Sequence, residues 1–300
     1  AYSADRWTTE MGTTAVVTAS KAADAPTAAQ AGTFTQNCMS LAVTTADTSV
    51  AAGDIFILIQ RVEGLSAASF GFGQAGSRNM TLSFWVKGTK TGIHCVSITN
   101  SAQNRSYIAE YTINSTNTWE YKTITIPVDT TGTWLYDTGI GLNVRFVLMS
   151  GTTHHASADT WIAGGPLATS NQVNALDSTS NTFKIALVQL EAGSVATTFD
   201  ARSVGTELAL CQRYYQLAGM GGSYYNAAAS QQARFSSTPA VTPRTSPTFT
   251  LITSVGVGNI SSVTPSSNNS GATLGMHLIS SGGSGVYTDG NYTYSLTAEL

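Results

Sequence analysis

The sequence predicts an all-β protein: a jelly-roll β-sandwich followed by a short linker helix and a smaller C-terminal β domain. Three observations lead there. Segments before Gly205 show the two-residue alternation of half-buried strands, or short apolar runs, separated by polar turn chemistry, and almost none has sustained helical spacing. A single stretch from Gly205 repeats apolar residues at helical intervals. Beyond it, glycine, proline and alternating tyrosines mark a second β region that is poor in large aliphatic side chains. Many short strands with polar turns make an antiparallel sandwich or jelly roll. The expected domains are therefore 1–202 for the sandwich, 203–218 for the linker arm and helix, and 219–300 for the small β domain.

Each element follows from its residues. In "DIFILIQRVEG" both parities are apolar, which predicts a strand covered on both faces. In "TLSFWVKG" Leu82, Phe84 and Val86 alternate with Thr81, Ser83, Trp85 and Lys87, so a half-buried strand should carry Trp85 on its polar face. "WEYKTITIPV" places Ile124, Ile126 and Val128 on one face and Trp119, Tyr121, Thr123 and Thr125 on the other. "LNVRFVLMSG" and "FKIALVQLEAG" continue the series, while "NSTNT", "DTTGT" and "GTTHHASADT" are turn and loop chemistry. After Gly205, Leu208, Cys211 and Tyr215 recur at i, i+3 and i+7, and Leu210 and Tyr214 sit four apart, predicting an amphipathic helix capped by Ser203 or Thr206. Asp289-Gly290 between alternating tyrosines predicts a hairpin turn.

A domain of under about 90 residues gains little from a small core. A homo-oligomer is therefore expected, with a trimer as its state. Leu208, Cys211, Tyr214, Tyr215, Tyr224 and Tyr225 are the interface candidates, since aromatic side chains are enriched at interfaces.

Composition excludes several classes. Only 10% of the residues are charged, with 42% hydrophobic, so the chain is charge-poor without the signature of disorder. A net charge of -3 offers no basic footprint for nucleic acid and no polybasic anchor. The longest apolar stretches, such as "IFILI", are too short to cross a bilayer as a helix, so no membrane insertion is expected. Three widely spaced cysteines, Cys38, Cys95 and Cys211, fit neither a disulfide framework nor a zinc pattern and read as reduced structural residues. The start at Ala1 reads as a fragment or a processed chain.

"GFGQAG" at residues 71–76 matches a dinucleotide fingerprint by letters, but a strand follows it where the chemistry needs a helix N-terminus, so it reads as a glycine loop. Glu110 and Glu120 flank a turn and are the only pair considered for glycoside hydrolysis; strand carboxylates near Lys122 read instead as solvent-facing, and no catalytic residue is assigned. His154, His155 and Asp159 lie on one loop without a third histidine or cysteine nearby, so neither a metal nor a cofactor is expected. Sugar rings stack their C–H faces on aromatic side chains while polar neighbours bind the hydroxyls. Trp85 on its strand, Trp134, Tyr136 and Trp161 in loops, and the loop residues His154 and His155 are accordingly the candidates for glycan contact.

The stretch "VQLEAGSVATTFDARSVGTELALCQRYYQ" resembles the junction in tailed-bacteriophage tail-fibre and other appendage virion proteins that carry a carbohydrate-binding-module-like jelly roll. Gln189, Leu190, Glu191, Gly193, Ala196, Thr197, Phe199, Arg202, Glu207, Leu208, Cys211, Gln212, Arg213, Tyr214 and Tyr215 carry the match. "YSADRW", "TLSFWVKG", "TWEYKTITIPVD" and the final "AEL" agree in order, and "FDAR" stands where "FEHR" is commoner. The resemblance implies a virion structural subunit, exposed on the particle, that assembles with other phage proteins and attaches to a host surface glycan. It implies a further segment before "ADRW" and transfers no catalytic residue. A polysaccharide depolymerase and a purely architectural capsid or tail subunit are the alternatives.

Overall fold

The computed structural model describes the chain except residues 1, 5, 227–231, 259, 267–273 and 281–285. The chain divides into two compact units, Ala1–Ala201 and Arg202–Leu300. In the first, the strands are β1 (Tyr2–Ala4), β2 (Trp7–Gly12), β3 (Val16–Ala22), β4 (Cys38–Thr45), β5 (Ile55–Glu63), β6 (Met80–Gly88), β7 (Gly92–Asn100), β8 (Arg105–Ile113), β9 (Glu120–Ile126), β10 (Ile140–Ser150), β11 (Trp161–Ala163) and β12 (Thr182–Ala192). They form a seven-stranded sheet, ordered β1-β2-β5-β10-β7-β8-β11, and a five-stranded sheet, ordered β3-β4-β12-β6-β9. The chain passes repeatedly from one sheet to the other, giving the antiparallel jelly-roll sandwich expected.

The core lies between the sheets because period-2 alternation aims one parity of every strand inward. Leu82, Phe84 and Val86 on β6 meet Val144, Phe146 and Leu148 on β10, with Phe84 edge-on to Phe146 at 5.0 Å. Burying each such side chain contributes about 1.5–3 kcal/mol. β5 is covered on both faces as its sequence implies: Phe56 and Leu58 enter this core, while Ile57 and Ile59 join Cys95, Ile108 and Val147 in a second cluster closed by Leu167 and Ala168. β6 departs from the half-buried expectation. Thr81 and Ser83 are buried too, and Thr81 Oγ1 donates to Gly193 O at 2.8 Å.

That contact belongs to a clasp on the chain leaving β12. Glu191 accepts from the Thr197 N–H at 2.9 Å and from its hydroxyl at 2.7 Å, and Gln189 Oε1 accepts from the Asp200 N–H at 2.8 Å. Burial raises the Glu191 pKa, but the Thr197 donors and the Gln189 amide bring it below its ordinary value. Gly193 turns the chain with φ 131, a region that favours glycine. The "QLE.G..AT.F" residues thus hold the arm by local hydrogen bonds.

One histidine is enclosed in the core. His94 stacks on Tyr111 at 5.7 Å, its Nε2 lies 3.1 Å from Lys90 O, and its Nδ1 has no partner. Burial lowers its pKa to about 4.

The second unit begins with the helix Val204–Gln212, where Ser203 accepts from the Thr206 N–H as the cap. Its strands are β13 (Tyr215–Asn226), β14 (Gln232–Ser237), β15 (Thr248–Gly258), β16 (Ile260–Ser266), β17 (Leu274–Ser280) and β18 (Val286–Thr297), in sheets ordered β13-β18-β15 and β14-β17-β16. Three expectations are corrected here. The helix buries no residue, so it is not amphipathic against this chain. It also stops before Tyr214, and β13 starts at Tyr215, inside the stretch 203–218 read as a connector. Asp289-Gly290 makes no turn: Asp289 pairs with Ser223 on one side and Gly258 on the other. A strand paired along both edges gains a ladder of bonds that outweighs the preference of one dipeptide.

Candidate functional site

The five-stranded sheet turns its outer face away from the core, and there β6 and β9 place Trp85 opposite Tyr121. The rings lie 5.4 Å apart, tilted by 40°. Tyr121 is 45% exposed. Trp119 lies buried just before β9, in a small cluster with Cys38 and Ala186 against which Trp85 packs. Its indole Nε1 has no hydrogen-bond partner. Lys87 Nζ stands 6.0 Å from the Trp119 ring and bonds Asp24 at 3.0 Å, which also accepts from Lys184 at 2.6 Å. The Lys184 bond, working against partial burial and joined by Lys87, lowers the Asp24 pKa. An aromatic pair with a charged rim is chemistry that suits a sugar, with C–H faces on the rings and hydroxyls on the polar groups, whereas the Trp119 N–H is enclosed beneath it.

The other aromatic candidates are committed to packing. Trp134 is 8% exposed, with its Nε1 donating to Asp129 at 3.2 Å and to Thr131 O at 3.0 Å. Trp161 is half-buried on β11, a short edge strand where a loop was expected, and its Nε1 donates to Pro127 O at 2.9 Å. Both rings meet Phe72, at 5.1 and 5.7 Å. Tyr136 donates its hydroxyl to Phe72 O. Arg105 ties the cluster down, gripping Asp129 through two nitrogens and standing 5.8 Å from the Trp161 ring. Asp129 is pushed up by burial, yet the Arg105 and Thr131 bonds hold it below the ordinary carboxylate value.

The histidines fall elsewhere. His154 ends a short 3-10 turn, and its carbonyl accepts from Leu167 at 2.8 Å. His155 Nε2 lies 3.1 Å from Ser150 O beside a cavity of about 220 Å³ lined by Met149, Gln172 and Asn174. Among the described residues no group of three or more histidine, cysteine or acidic side chains gathers as metal ligands. Asp47 is occupied by donors from Thr13, Thr14 and Ser49, which hold its pKa down to about 2.

Glu110 and Glu120 are divided between the sheets. Glu110 on β8 accepts from Thr169 and, at 3.0 Å, from Asn171. Glu120 on β9 accepts from the Asn114 and Ser115 N–H groups, each at 2.8 Å, and pairs with Lys122 at 2.7 Å. Burial works upward on Glu120, but Lys122 and those donors lower its pKa. "GFGQAG" is a turn, with Gly71, Gly73 and Gly76 all at positive φ.

Of the interface candidates, Tyr214 is buried, with Arg213 and Arg244 at 5.9 and 5.8 Å from its ring, and is removed from any open surface. Leu208 and Tyr215 are exposed and Cys211 is half-buried. Tyr224 and Tyr225 lie on β13, and their side chains fall outside the described residues. Among the described residues no helix is long and apolar enough to cross a membrane.

Tyr121 and Trp119 are the residues of the aromatic surface that the sequence did not single out. The signal was present, since "WEYKTITIPV" put both on the polar parity, and Tyr121 aligns with Trp85 only once β6 and β9 are paired.

No protein-family model matches the chain, and no curated protein matches it. Among solved structures it is similar to the enzymatically active domain of tailspike protein 4 of bacteriophage CBA120, at 16% identity and a TM-score of 0.35, over 62% of this chain and 19% of that one. It is also similar to a family 11 carbohydrate-binding module from Clostridium thermocellum, solved with a β-1,3-1,4-mixed-linked tetrasaccharide, at 12% identity and a TM-score of 0.33, over 64% and 91% of the two chains. A CBM4 structure is similar at 13% identity and a TM-score of 0.35, over 63% and 87%. At such scores these likenesses carry no argument, and the functional reading rests on this chain's own residues.

Proposed function

We propose that this chain is a structural subunit of a tailed-bacteriophage appendage, a tail fibre or decoration protein exposed on the virion, whose sandwich binds a host surface glycan at Trp85 and Tyr121. The observation that carries the binding reading is the outward-facing pair of half-buried Trp85 and exposed Tyr121, 5.4 Å apart beside the Lys87–Asp24–Lys184 charges. The virion reading rests on the residue pattern from Gln189 to Tyr215. The subunit associates with copies of itself, as a trimer, and with other virion proteins; exposed Leu208 and Leu217 support self-association.

The chain acts by binding rather than by hydrolysis, a reading supported by the engagement of Glu110 and Glu120 on different sheets. A glycan array followed by titration calorimetry tests the site: Trp85→Ala and Tyr121→Ala should each weaken binding about tenfold or more, and Trp134→Phe should not. Unchanged binding in both variants sinks this site. Release of reducing ends from host polysaccharide, lost in Glu110→Gln or Glu120→Gln, would favour a depolymerase.

A further inference from the structure

Beside the aromatic pair, the outer face of the five-stranded sheet sets two lysines against each other. Lys87 on β6 and Lys184 on β12 are cross-strand partners, two residues along their strands from the partners Trp85 and Ala186. Like charges placed directly opposite one another destabilise a sheet. Asp24 bridges them: Lys87 Nζ donates to its two oxygens at 3.1 and 3.0 Å, and Lys184 Nζ donates to Oδ2 at 2.6 Å. Both lysine side chains nonetheless stay partly open to solvent, at 17% and 19%.

Two ammoniums share one carboxylate. Asp24, its pKa lowered chiefly by the Lys184 bond, is ionised at neutral pH and offsets one of the two positive charges. Each ammonium carries three N–H donors, six in all, and the bonds to Asp24 use three. Among the described residues neither lysine has another acceptor. Neighbouring charges leave this balance as it is. On β9, Lys122 and Glu120 pair with each other at 2.7 Å. Glu191 and Asp200 belong to the arm beyond Ser83, on the side of Trp85 away from the lysines.

We infer that the glycan held by Trp85 and Tyr121 is an acidic one, containing a uronic or other carboxylated sugar whose carboxylate accepts from Lys184 and Lys87. The inference rests on the glycan reading of this face and adds the class of sugar. Two residues along a strand span about 6.6 Å, so a sugar ring on Trp85 brings its substituent within reach of the ammoniums in the next row. One excess positive charge matches the single charge of a carboxylate, and Asp24, lying between the lysines, repels a phosphate dianion more strongly than a monoanion.

The experiment uses the whole chain on an array of neutral, carboxylated and phosphorylated microbial glycans. The strongest ligand is then compared, by titration calorimetry, with the same glycan after its carboxyls are reduced to alcohols. That ligand should carry carboxylates, their reduction should weaken binding about tenfold or more, and added sodium chloride should narrow the gap between the two forms. Lys184→Gln should remove most of the preference for the acidic form, and Lys184→Arg should keep it. If Lys184→Gln fails to fold, the two forms of the glycan on the wild type decide by themselves. Equal affinity for both forms, or a strongest ligand that is neutral or phosphorylated, overturns the inference; where that binding still falls in Trp85→Ala, the glycan reading survives. Binding to no glycan, or binding that Trp85→Ala and Tyr121→Ala leave unchanged, sinks the glycan reading and the inference with it.

Discussion

The two units place their apolar side chains differently. In the sandwich both sheets supply large side chains to one continuous interior, from Leu41 on β4 to Ile185 on β12, and two smaller clusters cover outward-facing residues. In the C-terminal unit, Tyr292, Tyr294 and Leu296 of the central strand β18 are buried, yet Val204, Leu208, Tyr215, Leu217, Leu251 and Ile252 stand exposed. Both units are built from antiparallel strands. The difference is one of degree, and it teaches that a hydrogen-bonded ladder is no measure of a core: the sandwich exposes Met11, Val16, Phe34, Val50, Leu65, Tyr121 and Val195 around a large interior, whereas the second unit, among its described side chains, exposes six large apolar residues in half the chain length beside a small buried set.

The largest test of this contrast removes sandwich core. Phe84→Ala takes away a ring in edge contact with both Tyr111 and Phe146 and should cost about 3–5 kcal/mol in denaturant unfolding. A loss below about 1 kcal/mol would mean that the interior is less tightly assembled than it looks.

Acid probes the same interior. The folded-state pKa of His94, about 4, lies below its ordinary 6.5, so the unfolded chain binds the proton first as pH falls. Stability from this source is intact above pH 6.5, declines between 6.5 and 4, and is down by roughly 3 kcal/mol below that window. His94→Leu should flatten the decline; equal slopes for the two proteins would remove His94 as its cause. Asp47, held at about 2, loses its contribution only in more acid solution, as pH falls from 3.8 toward 2, so the two groups separate on the pH axis.

A smaller effect belongs to the arm. Glu191→Ala deletes the acceptor of two Thr197 bonds and should cost about 1 kcal/mol. Amide exchange at Thr197 and Asp200 should accelerate while the β6 and β10 amides keep their protection. Uniform acceleration would make Glu191 part of the global fold instead of a clasp. Smallest of all in stability, Leu208→Ser and Leu217→Ser should shift unfolding by no more than about 0.5 kcal/mol while lowering the self-associated mass measured by light scattering. A chain that is monomeric before the substitutions breaks the comparison outright.

Much of the sandwich was legible because alternation is a local property: Leu82, Phe84 and Val86 announce their face whatever strand lies beside them. Site residues were harder. Trp134, Tyr136 and Trp161 are candidates for glycan contact because loops and turns surround them, but Trp134 and Trp161 pack against Phe72 and each other, and Tyr136 donates to Phe72 O. Trp85 kept its outward place, while its partner Tyr121 emerged only from the β6–β9 register. Lys184 is an ordinary polar position within "FKIALVQLEAG", and it meets Lys87 only once β12 and β6 are paired.

The sequence by itself determined an all-β chain, a covered β5, a strand carrying Trp85 on its polar side and a helix starting near Gly205 with Ser203 or Thr206 as its cap, because parity, short-range spacing and capping act within a few residues. Only the tertiary structure decided that Asp289-Gly290 would run straight through a central strand, that Glu110 and Glu120 would part to different sheets, and that Lys87 and Lys184 would stand opposite each other. Those outcomes depend on which strands become neighbours and which loop covers which face, and a cross-strand partner can lie any distance away along the chain.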